Sequence, residues 1–132
     1  MRAVTGVLVS IALLTATAPV QAIDLSCKGV MHTFAMEQKQ GTVEPGATVV
    51  DLEEKRIATP VGNFRITRIL DESITFDDPT SKLVVFGTLD RVSGAMNVFW
   101  RTAAQEAKVQ AGLSSVAEMY ADLKCSAAKR LF

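Results

Sequence analysis

The sequence predicts a mostly β protein: an antiparallel meander of seven or eight strands, folded as a small barrel or a curved sheet, with one short helix before the last strand. Three observations favour this class. Residues 82–100 place two apolar runs around a polar turn, the strongest hairpin signal in the chain. Turn residues recur about every 8–12 positions, which is typical of sandwiches and barrels. Two cysteines, Cys27 and Cys125, lie near opposite ends of the chain.

Residues 1–22 have the features of a signal peptide. Arg2 precedes an apolar run from Val4 to Ala16, and Val20-Gln21-Ala22 is a small-x-small cleavage site. The run is short for a bilayer span and Pro19 interrupts it, which disfavours a retained anchor. We therefore expect cleavage near Ala22, a single β-rich domain over residues 23–132, and a periplasmic or extracellular location.

The charge balance excludes some partners. The chain has 14 Lys and Arg against 14 Asp and Glu, a formal net charge of zero. It therefore lacks the electrostatic footprint of a nucleic-acid binder and a polybasic segment for anionic lipid. We expect no nucleic-acid partner, no cofactor and no membrane span in the mature chain. We expect a monomer whose partner is a protein or a small apolar ligand.

The two cysteines predict one disulfide, because an exported protein folds in an oxidising compartment. Two free thiols or a metal site are the alternatives. Zinc needs four ligands, and His32 is the only histidine in the sequence. The disulfide Cys27–Cys125 is therefore the preferred interpretation.

Turn signals divide the first half of the chain into short strands. The first strand is expected at Leu25–Met36, with two faces of mixed polarity. A polar connection follows at Glu37–Gly46, whose Pro45-Gly46 end suits a type II turn. Further strands are expected at Ala47–Leu52, Lys55–Thr59, Phe64–Leu70 and Ser73–Phe76.

The central hairpin joins Leu83–Leu89 to Ala95–Trp100 through the turn Asp90–Gly94. Its strands are rich in residues that pack well on a pleated surface. Gly94 can adopt the positive φ that a tight hairpin ending needs, and Asp90 can accept hydrogen bonds from turn amides.

The last part of the chain changes composition. Thr102–Ala111 is rich in helix formers, with Thr102 and Gln105 spaced as a capping box and Gly112 where a helix would stop. A short helix is predicted here, with an irregular excursion as the alternative. Val116–Cys125 fits both a helical stripe and a strand alternation. We favour a strand, because a last strand beside the first would bring the two cysteines within bonding range and cover a sheet edge.

Three short segments of the sequence resemble segments of other proteins. The segments are LSCKG at 25–29, GTLDRVSG at 87–94 and YADLKCSAAKRLF at 120–132. They resemble a set of small exported proteins of α-proteobacteria that have no assigned activity. Those proteins share a Cys-Lys-Gly start, a Gly-x-Leu/Ile-Asp-Arg-x-Ser/Thr-Gly hairpin and a C-terminal Leu-x-Cys. The resemblance implies the hairpin, the terminal disulfide and a C-terminal strand, and it supplies no catalytic residue.

Few side chains suggest chemistry. A nucleophilic triad would have to use His32, and the chain has no Gly-x-Ser-x-Gly motif, so we expect no catalytic residue and no metal site. Arg91, Trp100 and Arg101 are the candidates for contact with a ligand or partner. Arg91 has a second interpretation, a register-fixing pair with a carboxylate of a neighbouring strand. Trp100 also has a second interpretation, as a core residue whose neighbour Arg101 extends its charged end into solvent.

These features together predict a non-catalytic binding module for a protein or a small molecule. One alternative is a calycin-like carrier of an apolar ligand, which needs an interior cavity lined by Phe, Met and Val. Another is a hydrolase that uses acidic residues, which needs two converging carboxylates. The acidic groups of this sequence fall at predicted turns, where solvation explains them. A small disulfide-containing lysozyme inhibitor is a fold analogy only.

Overall fold

Every strand of this chain pairs antiparallel with the strand that follows it. The computed structural model describes residues 22–34, 38–113 and 116–128. Its elements are β1 (Ile23–Thr33), β2 (Lys39–Asp51), β3 (Arg56–Thr59), β4 (Gly62–Ile69), β5 (Ser73–Asp77), β6 (Val84–Asp90), β7 (Ala95–Arg101), α1 (Ala103–Gln110) and β8 (Met119–Ala127). Because β8 pairs with β1, the sheet closes into an eight-stranded barrel. The predicted antiparallel meander is confirmed. Of the two predicted forms, a small barrel and a curved sheet, the structure shows the closed barrel.

The interior of the barrel is filled by side chains. Burial alternates along most strands, so that every second residue points inward. The core includes three aromatic residues: the Phe64 ring lies 5.0 Å from that of Phe76 and 6.3 Å from that of Trp100. The other buried core residues are Val50, Ile57, Ile66, Ile74, Val85, Leu89, Met96, Val98, Ala121 and Leu123, with the two cysteines. A barrel of eight strands has an interior just wide enough for such a packed core.

The disulfide fastens the seam of the barrel. Cys27 on β1 and Cys125 on β8 are register partners with Cα atoms 4.0 Å apart, and their sulfurs are bonded. Both cysteines are buried in the core. The predicted Cys27–Cys125 bridge and the predicted C-terminal strand are therefore confirmed together.

The hairpin turn packs directly against the disulfide strand. Gly94 has a φ of 81°, as the sequence predicted. The Cys125 amide donates to the Gly94 carbonyl over 2.7 Å. A Cβ at position 94 would collide with the carbonyl oxygen of Cys125, so glycine is required for close approach as well as for conformation.

Helix α1 lies on the outside of the barrel, between β7 and β8. Thr102 and Gln105 form the predicted capping box, in which each side chain accepts from the other's backbone amide. The helix ends at Gln110, and Gly112, two residues further on, has a φ of 74°. The Gly112 amide donates to Val109 O, and that of Leu113 donates to Lys108 O, a Schellman ending. No residue of α1 is buried. Among the described residues, no helix combines the length and the apolar character that crossing a membrane requires.

The predicted connection Glu37–Gly46 is wrong for its larger part. Residues 39–46 belong to β2 and pair with β1, with Gly46 opposite Cys27 and Val43 opposite Gly29. Three steps on β2 match two on β1, so β2 carries a bulge. Pro45 is tolerated there because a bulged residue need not donate to the ladder. Pairing with a long neighbour has overridden a local turn signal.

Other strand bounds also shift. β1 starts at Ile23 and ends at Thr33, and residues 35–37 lie outside the described part of the chain. β4 has a bulge between Ile66 and Arg68. Leu70 is consequently 44% exposed instead of sharing the inner face with Phe64, as the alternation predicted.

Candidate functional site

Aromatic side chains lie side by side across the outer face of four neighbouring strands. Phe86 on β6 is the register partner of Phe99 on β7, and Phe99 is the partner of Tyr120 on β8. Tyr120 is in turn the partner of His32 on β1, and Phe34 lies two residues after His32, just beyond the end of β1. We call these five residues the aromatic row. It lies at the end of the barrel that carries α1.

Three neighbouring pairs of rings in the aromatic row are stacked. Ring centroids are 4.7 Å apart for Phe99 and Tyr120, with 29° between their planes. They are 5.8 Å apart at 17° for Tyr120 and His32, and 6.0 Å apart at 3° for His32 and Phe34. The end members stay accessible, with Phe34 40% and Phe86 46% exposed. The row is therefore an ordered apolar surface with two open ends.

Polar contacts hold the row in position. The Tyr120 hydroxyl donates to Asn97 Oδ1 over 2.8 Å. Partial burial, followed by the nearby charge of Asp122, raises the pKa of Tyr120, so its hydroxyl remains a donor at neutral pH. The Arg101 guanidinium lies 4.6 Å from the centre of the Phe99 ring and pairs with Glu106 of α1 over 3.3 Å. Helix α1 thus fixes the cation that covers Phe99.

A groove runs beside the aromatic row. Its volume is about 380 Å³. Phe34, Phe99 and Tyr120 line it together with Val116 and Ala117, which precede β8. The Phe34 amide donates to Glu118 O over 2.9 Å, which joins the end of β1 to this segment. The groove is apolar and can take one or two side chains of another molecule.

A pocket of about 350 Å³ lies at the other end of the barrel, which we call the barrel-end pocket. The hairpin turn Asp90–Gly94, the start of β1 and the end of β8 surround it. Asp90 Oδ1 accepts the turn amides of Ser93 and Val92 over 2.9 and 2.8 Å. The prediction that Asp90 accepts hydrogen bonds from turn amides is therefore confirmed. These bonds, with that of Ser93 as the largest cause, lower the pKa of Asp90.

The three residues predicted to contact a ligand or partner do not come together. Arg91 lies at the barrel-end pocket, where its guanidinium donates to the Leu70 carbonyl over 2.8 Å instead of pairing with a carboxylate. Trp100 is buried in the core. Arg101 covers Phe99 at the opposite end from Arg91.

The acidic residues at turns make local structural contacts. Asp51 accepts the Glu54 amide, and Asp78 accepts both the amide and the hydroxyl of Thr80. Asp77 forms a two-bond ion pair with Arg65 across β4 and β5. Within the described ranges, no group of three or more His, Cys, Asp or Glu side chains is placed to hold a metal ion.

Fold and surfaces together define the class: a small antiparallel β-barrel closed by a disulfide, with an aromatic outer face and an apolar pocket at one end. Comparison with protein-family models, with curated proteins and with solved structures found no match.

Nothing in the sequence marked Phe34, Phe86 or Tyr120 as functional residues. Strand alternation was the available signal, since it places His32 and Phe34 on one face of the predicted first strand, Leu25–Met36. The row itself depends on the register of four strands, which one sequence does not specify.

Proposed function

We propose that this chain is an exported, non-catalytic module that binds another protein through the aromatic row. One observation carries the proposal. Of the Phe, Tyr and Trp residues in the described ranges, those outside the barrel interior are Phe34, Phe86, Phe99 and Tyr120, and all four belong to the row. Cross-strand pairing of rings stabilises the sheet, but it does not require the end rings Phe34 and Phe86 to stay 40% and 46% exposed. Exposed apolar surface of this kind marks an interaction site.

The composition of the row supports a protein partner. The cores of protein interfaces are enriched in aromatic residues and arginine, and binding energy concentrates in a few such side chains. Phe99 and Arg101 are already ordered by their neighbours, so binding costs little conformational entropy there. The adjoining groove offers a recess for an apolar side chain of the partner.

The ring geometry argues against a flat stacking ligand. A base or a sugar ring that stacks on an aromatic side chain needs an open ring face. The faces of Phe99, Tyr120 and His32 are covered by one another and by Arg101. The row therefore favours side chains that pack against ring edges and against the exposed rings of Phe34 and Phe86.

The barrel fold is also compatible with a calycin-like carrier, but the interior favours a protein binder. A calycin-like carrier holds its ligand inside the barrel. Phe76, Met96 and Val98 are fully buried there and pack in one cluster. Export is supported by the signal-like segment before Ile23 and by the disulfide, which persists in oxidising compartments.

The test compares surface variants of the mature protein. Phe34→Ser, Phe86→Ser and the double variant are immobilised and exposed to an envelope extract of the native cell. Ile69→Ser is the matched control, since Ile69 is 38% exposed on β4, on the far side of the barrel. Any captured protein is then purified and titrated against each variant. We expect the row variants to weaken binding roughly tenfold or more and Ile69→Ser to leave it unchanged.

Two results would contradict the proposal. One is a partner whose affinity is the same for wild type and the double variant. The other is the absence of specific capture with no self-association of the protein. Sedimentation of the purified protein covers the remaining possibility: a dimer that Phe86→Ser dissociates would identify the partner as a second copy of this chain.

A further inference from the structure

The barrel-end pocket lies at the opposite end from the aromatic row and is independent of it. Its floor is made by core side chains, since Val50, Ile74 and Leu89 close the barrel at this level and are almost fully buried. Ile23 and Leu25 form a wall from the start of β1. The apolar floor is therefore continuous with the core, and the mouth of a β-barrel is a common position for a ligand.

The rim of the pocket is polar and unevenly charged. Arg91, Ser93 and Ser126 line it, and all three are exposed. One guanidinium nitrogen of Arg91 donates to the Leu70 carbonyl, and within the described ranges Arg91 has no ion pair. Asp90 is the other charged residue, but its Oδ1 is turned into the hairpin, where it accepts two amide hydrogens. Arg91 therefore supplies the cationic side chain of this rim.

We propose that the barrel-end pocket binds a small amphipathic anion, with its apolar part on Ile74 and Leu89 and its acidic head group at Arg91. The volume of about 350 Å³ is at the lower end of small-ligand pockets, so the apolar part is a short acyl chain or a single ring. The head group is a carboxylate or a phosphate, because both fit the paired donors of a guanidinium.

Three eight-carbon ligands distinguish the contribution of the head group to binding from that of the apolar chain. Octanoate, octyl phosphate and 1-octanol are each titrated into the mature, oxidised protein, and binding is followed by amide chemical shifts. We expect both anions to bind and to shift the amides of Ser93, Gly94 and Ser126. We expect octanol to bind at the same place more weakly, since it lacks the charge. The anion that binds with the higher affinity shows whether the pocket prefers a carboxylate or a phosphate head group.

Two variants test the assigned contacts. Arg91→Gln keeps a shorter hydrogen-bond donor without the charge. It should weaken binding of the anions about tenfold and leave binding of octanol unchanged. Ile23→Glu puts a negative charge on the exposed wall and should abolish binding of the anions. Val84→Glu is the control: Val84 is 38% exposed at the start of β6, away from the pocket, and this variant should leave all the affinities unchanged. Thermal melts of all three variants check that the barrel is folded.

A competing occupant is the end of this chain. β8 ends at Ala127 on the pocket wall, and the sequence continues to Leu131 and Phe132, which are apolar. A variant that stops at Ala128 tests this. If the full chain fails to bind any probe but the shortened chain binds, the pocket belongs to the chain's own end and the proposal is overturned. Equal affinity of octanoate for wild type and Arg91→Gln, or shifts confined to the aromatic row, would overturn it as well.

Discussion

Removing the cross-link between Cys27 and Cys125 should cost this protein a large part of its stability. The bridge joins residues 98 positions apart, so it restricts nearly the whole barrel in the unfolded state. The chain-entropy model gives about 4–5 kcal/mol for a loop of this length. Domains of this size are typically stable by about 5–15 kcal/mol, so the reduced protein would be marginal.

The matched comparison is between oxidised and reduced wild type, which differ only in the sulfur–sulfur bond and two thiol hydrogens. The protein is unfolded, reduced, refolded in reductant and titrated with urea, with Trp100 fluorescence as the signal. With an m-value of about 1–3 kcal/mol/M, the midpoint should fall by roughly 1.5–4.5 M. The double variant Cys27→Ala, Cys125→Ala should lie lower still, because it also removes buried apolar atoms.

The fold itself should survive reduction. The loss acts on the unfolded chain, and the ladder between β1 and β8 supplies its own hydrogen bonds, so Gly29 and Leu123 should remain register partners by NMR. A midpoint shift below about 1 M would refute the reasoning, since it would mean that the unfolded chain gains little freedom when the bond is broken.

Three further predictions concern single positions. Gly87→Ala would push a methyl group into the buried ring of Phe76 and should cost about 1–3 kcal/mol in urea titration, whereas Gly41→Ala, with open space around it, should be nearly neutral; equal effects would contradict the packing. Asp90 has a folded-state pKa below its ordinary value of 3.8, so its contribution is present at neutral pH and lost as the pH falls through the lower, folded-state value. Asp90→Asn should therefore show a shallower loss of stability in an acid titration, and an unchanged slope would exclude this group. Thr102→Ala should fray α1 and not the barrel, because no residue of the helix is buried. Amide exchange in the helix should rise about fivefold with an unchanged urea midpoint, and a fall in that midpoint would give α1 a global role.

The sequence predicted correctly those elements that depend on residues close to one another along the chain. The hairpin turn depends on Gly94 and Asp90, which act within a few residues of themselves. The helix cap depends on Thr102 and Gln105, three positions apart. The disulfide was also predictable, because a chain with two cysteines allows only one internal pairing.

The first part of β2 was mispredicted because it forms by pairing with β1, which its own sequence does not show. Pro45-Gly46 is a turn signal in isolation, but β1 offers a long ladder whose bulge accepts proline. The aromatic row was missed for a related reason. Alternation gives the face of each ring, but only the closed barrel sets which rings become neighbours, as with Phe86 and Phe99. The barrel-end pocket likewise exists only once β1, β6 and β8 have been brought together.

The disulfide also determines how the barrel would respond to pulling. The chain enters through β1 and leaves through β8, and these two strands are fastened to each other at Cys27 and Cys125. Tension applied between the two ends of the domain would peel back only the short stretches outside that bond. The remaining strands lie inside the covalent loop and would carry no load. Under a force between its two chain ends, the barrel would therefore resist with the strength of a covalent bond rather than with that of its hydrogen bonds.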